Sequence, residues 1–415
     1  MTFGPAIRSA RVADVELTLR AADGTPLANQ EVSVAQRSHA FRFGCTGFEA
    51  IPLATGELDA DPEARAGTER LYDRWLDLFN TATLPFYWAR FEPERDRPDT
   101  ARLLAAARWF VDRGVSVKGH PLCWHTLTAP WLVDLPVEEV IALQRARITR
   151  EATDFAGLID TWDVLNEVVI MPVFQKEANG ITRLCQKLGR VETVRMMMDT
   201  TRAANPGATL LLNDFDMSAD YEHLIEDCLE AGIRFDALGL QSHMHQGYWG
   251  VERTLDVLER FSRFGLPIHF TENTLVSGDL MPPEIVDLND FQVDEWPSTP
   301  EGLARQAEEV VTHYTTLVAH PAVASITWWG LPDGEWLHAP GGLVFADGSP
   351  KPAFEALRGL IKGDWWLPPM RLVSDDGGRV RFSGFRGEYS VAWGGWLQVV
   401  AIDSIGATKM EVRAI

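Results

Sequence analysis

TWDVLNEVV, residues 161–169, sets an amide and a carboxylate, Asn166 and Glu167, at the end of a short apolar run. The same arrangement recurs along the chain. Short apolar runs stand at AFRFGCT (40–46), FNTATLPF (79–86), VSVKGHPL (115–122), IDTWDVLN (159–166), TLLLNDF (209–215), FDALGLQS (235–242), LPIHFTE (266–272) and VASITWWG (323–330). Helix-like stretches alternate with them. ARLLAAARWFVDRG (101–114) and VERTLDVLERFSRFG (251–265) carry apolar residues at helical spacing and end in Gly, a common stop. Strands alternating with helices imply parallel βα units, and eight of them predict a (β/α)8 TIM barrel.

The two ends of the chain have another rhythm. VELTLRAADGTPLANQEVSVAQR (15–37) alternates apolar and polar residues on both sides of a turn, predicting two strands. GRVRFSGFRGEYSVAWGG (378–395) and WLQVVAIDSIGATKMEVRAI (396–415) predict three or four more, split by Gly-rich turns, with KGDWWLPPM (362–370) as linker. Neither piece has strands enough to stand alone. The expected organisation is therefore one accessory β-sandwich built from residues 1–38 and 365–415, around a barrel spanning residues 39–364.

Bulk properties narrow the function. The 415 residues suit one large core plus a small module, which needs neither disulfides nor metals to hold it. Cys45, Cys123, Cys185 and Cys228 have no CxxC spacing and are expected as buried free thiols. A formal charge of -21 argues against a nucleic-acid partner, because phosphate binding needs a basic face, and none is expected. The opening MTFGPAIRSARVADV has no apolar leader, and no run of 18 apolar residues occurs, so a cytoplasmic protein without a membrane partner is expected. Oligomeric state is left open.

Active sites of such barrels lie at the C-terminal ends of the strands. The third run ends in His120, followed by Trp124 and His125; the fourth in Asn166 and Glu167; the fifth in Asn213 and Asp214. The sixth ends in Gln241, Ser242 and His243, the seventh in Glu272, and the eighth in Trp328 and Trp329. Ends of the fourth and seventh strands face each other across a barrel mouth, so Glu167 and Glu272 form a candidate carboxylate pair. Cleavage of a glycosidic bond requires such a pair, one carboxyl protonated and one ionised.

Of the fifteen tryptophans, Trp88, Trp124, Trp131, Trp249, Trp296, Trp329 and Trp336 are placed at the mouth, where flat rings suit the C–H faces of sugars. Trp75, Trp109 and Trp162 sit in helix or strand patterns and are expected to fill core. HMH (243–245) and HPLCWH (120–125) lack the spacing of zinc or iron sites, so neither metal nor cofactor is expected. Asp214 is expected to support the site from behind, and His320 and His338 are ordinary surface histidines.

These motifs resemble those of the family 10 glycoside hydrolases, mostly endo-β-1,4-xylanases. KGHPLCWH (118–125), WDVLNE (162–167), LLLNDF (210–215), LGLQSHMH (238–245) and ITWWGLPDGEW (326–336) with GGLVFADGSPKPAFEAL (341–357) follow the family's motifs in order, from about residue 41 to 361. The resemblance implies a retaining mechanism with Glu167 as acid/base and Glu272 as nucleophile. By the same matching, His120, Asn166, Gln241, His243, Trp329 and Trp336 line the subsite of the sugar that is attacked; Trp124 and Trp88 join them as candidate binding residues from their place at the mouth. Glu167 is then expected to have a raised pKa.

Two departures from the family stand out. After the second strand the family shows Pro-Glu-Asn and then Lys-Trp, whereas LPFYWARFEPE (84–94) is two residues shorter and puts Pro85 and Phe86 where Glu and Asn fall. Phe86, Tyr87 and Trp88 are expected to form a stacking or blocking wall, which places endo-action on long xylan in question. At the nucleophile, FTENT (270–274) puts Thr274 where the family carries the Asp that holds the histidine of the sixth strand, so His243 is expected to be neutral.

The stretch from Asn273 to Pro297 reads as a long loop. Trp296 with Asp287, Asp290, Asp294 and Glu295 either shapes the leaving-group side or is a solvated acidic loop. The leading expectation is a retaining β-glycoside hydrolase acting on β-xylosidic or related bonds in oligosaccharides or small glycosides. Its rivals are an inactive carbohydrate-binding protein on the same scaffold and a metal-dependent barrel enzyme.

Overall fold

A computed structural model describes residues 4–414. The chain starts with a short helix, Pro5–Arg11, that the sequence pattern did not reveal, followed by β1 (Val12–Arg20) and β2 (Glu31–Gln36). Eight parallel strands come next: β3 (Arg42–Thr46), β4 (Thr81–Pro85), β5 (Ser116–His120), β6 (Thr161–Asn166), β7 (Thr209–Asp214), β8 (Ala237–Met244), β9 (Ile268–Leu275) and β10 (Val323–Trp328). They close into a barrel in sequence order, β10 pairing with both β9 and β3. All eight anticipated runs are strands of this barrel, and it is a TIM barrel.

Burial on both faces explains why these runs read as continuously apolar. Every residue of β6 and of β9 is buried. The helices between them follow amphipathic logic. In Thr100–Val111 the buried residues Leu103, Ala106, Ala107 and Phe110 fall at helical spacing, and the chain turns away at Gly114 with φ 73°. The helix Pro300–Ala319 opens with the Thr299 side chain accepting from the Gly302 amide and with Pro300 in its first turn.

The terminal segments fold together. β12 (Arg379–Phe385), β13 (Gly387–Trp393), β14 (Trp396–Ile402) and β15 (Gly406–Arg413) fall in the stretch 378–415, within the three or four strands expected there, and β11 (Met370–Val373) adds one more at the end of the linker. One sheet has the order β12-β1-β15 and the other β11-β2-β13-β14. β1 and β2 are therefore partners in a sandwich and not in a hairpin; each pairs with C-terminal strands on both sides. Their buried faces meet in one apolar cluster that includes Val15, Leu17, Val34, Phe382, Tyr389 and Trp393.

Aromatic stacking joins this module to the barrel. Trp365 lies parallel to Phe43 at 5.9 Å, and Phe385 and Trp366 contact His39 at 5.5 and 5.2 Å. Arg11 donates to the carbonyls of Val318, His320 and Val323 at 2.6–2.7 Å, tying the N-terminal helix to the start of β10. All four cysteines are free and buried. Among the described residues, no helix is long and apolar enough to cross a membrane.

Candidate active site

β9 delivers Glu272 to the mouth as a residue only 5% exposed. Its Oε1 accepts from Asn213 Nδ2 at 3.0 Å, and its Oε2 meets His243 Nε2 at 3.0 Å. His120 Nε2 lies 3.9 Å from Oε1. Burial acts to raise the carboxyl pKa but is outweighed by the charge of His120, the hydrogen bond and charge of His243 and the charge of Lys118, so it lies below its ordinary value.

Glu167 follows β6 with a backbone φ of 59°, a left-handed conformation that costs a non-glycine residue roughly 1–3 kcal/mol. Two bonds hold it there. The Glu167 amide donates to the Asn213 carbonyl at 2.8 Å, and two residues on the Val169 amide donates to Asp214 Oδ2 at 3.1 Å. The Glu167 side chain accepts from Trp124 Nε1 at 2.7 Å on Oε2, and from Asn166 Nδ2 at 3.1 Å and Gln241 Nε2 at 3.2 Å on Oε1. Its pKa is nevertheless raised to about 8, by burial first and then by the negative charges of Glu272 and Asp214 against the Trp124 hydrogen bond.

The two carboxyls are wired together. Asn213 Nδ2 donates both to Glu272 Oε1 and, at 2.6 Å, to Asn166 Oδ1, whose own amide nitrogen reaches Glu167. Thr271 Oγ1 donates to Asn213 Oδ1 at 2.6 Å and fixes the amide's orientation. The sequence marked Asn213 only as a strand end; its bridging role depends on a register between β6, β7 and β9 that no local pattern carries.

Behind His120, Asp163 Oδ2 accepts from His120 Nδ1 at 2.8 Å and from Lys118 Nζ at 2.6 Å. Burial would raise the Asp163 carboxyl, but Lys118 and His120 hold it down at about 2, a permanent anion that orients the imidazole. At His243 the other ring nitrogen meets Thr274 Oγ1 at 3.0 Å. A hydroxyl, unlike a carboxylate, can either donate to Nδ1 or accept from it, so this contact does not fix which ring nitrogen carries a proton.

Most of the residues marked in the sequence converge here. Trp329 meets His120 at 5.2 Å and His243 at 5.9 Å, and Trp336 lies over His243 at 4.5 Å. Trp88 does not join them. It is 4% exposed, its indole donates to Glu92 Oε2 at 3.0 Å, and Arg147 lies 4.7 Å over its ring. Phe86 is also buried, against Phe155 and Trp162. The anticipated wall therefore reduces to Tyr87, whose ring meets His120 at 5.7 Å and Trp124 at 5.8 Å.

Trp131 packs edge-on to Trp88 at 5.6 Å, and Trp249 packs against the barrel's apolar cluster with Arg253 4.7 Å over its ring, so neither joins the aromatic contacts around His120 and His243. Trp296 reaches His245 at 6.0 Å from the loop after β9. That loop crosses the end of β8, where Gln246 donates to the Pro282 and Ile285 carbonyls at 2.8 Å. Midway along, it meets the loop after β6, where Lys176 pairs with Asp287 and Asp290, each at 2.6 Å. Two of the four acidic residues marked in this loop thus hold it in place. Among the described residues, no group of three or more His, Cys, Asp or Glu side chains is gathered for a metal ion.

Residues 81–359 match the family described as glycosyl hydrolase family 10. The chain is 25% identical over 291 residues to endo-1,4-beta-xylanase B of Thermotoga neapolitana, covering 66% of this chain and 78% of that protein. It is 23% identical over 338 residues to endo-1,4-beta-xylanase 2 of Arabidopsis thaliana, covering 78% of this chain but only 28% of that longer protein. Among solved structures, xylanase 10B of Thermotoga petrophila in complex with xylobiose superposes with a TM-score of 0.62 at 22% identity, over 78% of this chain and 95% of that one. The structural match shows the barrel fold, and the family match adds the chemistry. The chain belongs to glycosyl hydrolase family 10, the xylanase-like glycoside hydrolases that act with retention.

Proposed function

We propose that Glu167 is the acid/base and Glu272 the nucleophile of a retaining hydrolysis of β-xylosidic or related β-glycosidic bonds, in oligosaccharides or small glycosides. The observation that carries the assignment is the opposite displacement of the two carboxyls: Glu167 is pushed up to about 8, and Glu272 is held below its ordinary value. At neutral pH one is a proton donor and the other an anion.

Glu272 attacks the anomeric carbon as the glycosidic C–O bond breaks, and the Glu167 proton passes to the departing oxygen. The glycosyl ester thus formed removes the charge of Glu272 and with it one of the causes that raise Glu167, so Glu167 is left as a carboxylate able to take a proton from water. That water attacks the anomeric carbon, the ester bond breaks, and Glu272 leaves as the anion with Glu167 protonated again. Asn166 stands beside Glu167, suited to a hydroxyl next to the reacting carbon, and His120, Gln241, His243, Trp124, Trp329 and Trp336 surround the ring.

A 2-deoxy-2-fluoro aryl β-glycoside tests this assignment, because it slows the breakdown of the ester more than its formation. Incubation followed by peptide mass analysis is expected to place the sugar on Glu272, with no adduct in Glu272→Ala. An adduct on another carboxylate overturns the assignment.

A further inference from the structure

Three aromatics follow β4 in succession, and the structure sends them in different directions. Phe86 enters the core between Phe155 and Trp162, and Trp88 is buried on the far side over Arg147. The backbone is pinned around them: the Phe86 amide donates to the His120 carbonyl at 2.6 Å, the Ala89 amide to the Leu127 carbonyl at 2.7 Å, and Arg147 donates to the Phe86 carbonyl. Tyr87 alone is left facing the mouth. It is edge-on to His120 and tilted against Trp124, while Phe48 meets it edge-on at 6.3 Å and meets Trp329 at 6.0 Å. Edge-to-face contacts at these separations leave no slot for a sugar ring between the partners.

The acid of a glycosidase stands on the leaving-group side of the scissile bond. The chain continuing from Glu167, with Lys176 and its acidic partners, therefore borders the leaving group. Tyr87 and Phe48 instead follow β4 and β3, two and three strands from β6 in the barrel, and meet His120 and Trp329. From this arrangement we infer that Tyr87, backed by Phe48, closes the glycone side directly after the reacting sugar, so that the site takes one sugar on that side and releases monosaccharide from a chain end or a small glycoside. The inference rests on the roles proposed above for Glu167 and Glu272. Tyr87 is a fixed wall and not a lid, because its two neighbours are buried and neither can leave without opening the core.

Matched aryl β-monoglycosides and aryl β-diglycosides of xylose and glucose separate the possibilities. For the wild-type protein, kcat/KM on the monoglycoside is expected to exceed that on the diglycoside at least ten-fold for the preferred sugar. Tyr87→Ala is expected to shrink or invert this ratio by ten-fold or more, and Phe48→Ala to move it in the same direction by less. Circular dichroism and thermal melting establish that the variants are folded, and the wild-type ratio stands whether or not they are. A ten-fold wild-type preference for the diglycoside, or an unchanged ratio in folded Tyr87→Ala, overturns the closed glycone side alone. Cleavage of none of the four substrates, together with no fluoroglycoside adduct on Glu272, overturns the underlying assignment of Glu167 and Glu272.

Discussion

At the scale of single residues, Glu167 links activity to stability through one proton. Its carboxyl ordinarily titrates at 4.5 and is raised to about 8 in the fold, so at neutral pH it is protonated when folded and ionised when unfolded. Unfolding then releases a proton, and rising pH favours the unfolded chain by about 1.4 kcal/mol per pH unit between the two values. Gln at this position carries no such dependence. Thermal melts of Glu167→Gln and the wild type are expected to diverge as pH rises from 5 to 8, the variant gaining relative stability, and to run parallel above that; a constant difference would show that Glu167 titrates normally. Asp214 contributes to the same shift. It is fully buried, and its own pKa is raised to about 7, chiefly by burial. Asp214→Asn removes a negative charge near Glu167, so the alkaline limb of the kcat/KM profile is expected to move to lower pH. A limb that stays in place or moves up would show that Asp214 acts only through its hydrogen bonds to the Val169 and Asp216 amides.

Among elements, the spacing of the barrel strands decides whether the two carboxyls communicate. Gly239 on β8 faces Asn213 on β7 so closely that a Cβ there would meet Asn213 Cγ at 2.8 Å and its Cβ at 2.9 Å. Gly239→Ala therefore displaces the amide that joins Asn166 to Glu272. It is expected to lower kcat/KM ten- to hundred-fold, with a stability loss of roughly 1–3 kcal/mol from overpacking. Because the effect runs through Asn213, adding Gly239→Ala to Asn213→Ala should cost little more than Asn213→Ala alone; additive losses would deny the route. This coupling also shows what a sequence can and cannot reveal. The eight strands were legible because burial on both faces writes an apolar run, and the polar ends of those runs pointed to Glu167 and Glu272. Asn213 was legible as a strand end but not as a bridge, since its partners come from strands 47 and 59 residues away. Phe86, Tyr87 and Trp88 have no period from which to tell core from cleft; Arg147, on a helix 60 residues on, decides it. Likewise, alternation showed that β1 and β2 each bury one face, yet it did not reveal that they belong to different sheets.

Across the whole molecule, the ends of the chain are interdependent in a way that makes truncation informative. β1 is held between β12, antiparallel, and β15, parallel, while β2 lies between β11 and β13. The N-terminal strands thus own no partner of their own. Val15, Leu17, Leu19, Val32 and Val34 are each at most 2% exposed, and their cover comes from the C-terminal strands through residues such as Phe382, Tyr389 and Val391. Removing residues 365–415 uncovers five aliphatic side chains whose burial contributes about 1.5–3 kcal/mol each, and leaves two strands with open edges. A chain ending at residue 364 is therefore expected to bind a hydrophobic dye and to aggregate on size-exclusion chromatography. A chain of residues 39–364, which lacks the sticky strands as well as their cover, is expected to be the better behaved of the two even though it is shorter. The ordering matters more than either value, because a loss of barrel contacts at Trp365 and Phe385 is common to both truncations. If residues 1–364 prove monodisperse with a wild-type melting temperature, the sandwich is an appendage whose strands find other cover; if both truncations aggregate alike, the module is required by the barrel itself.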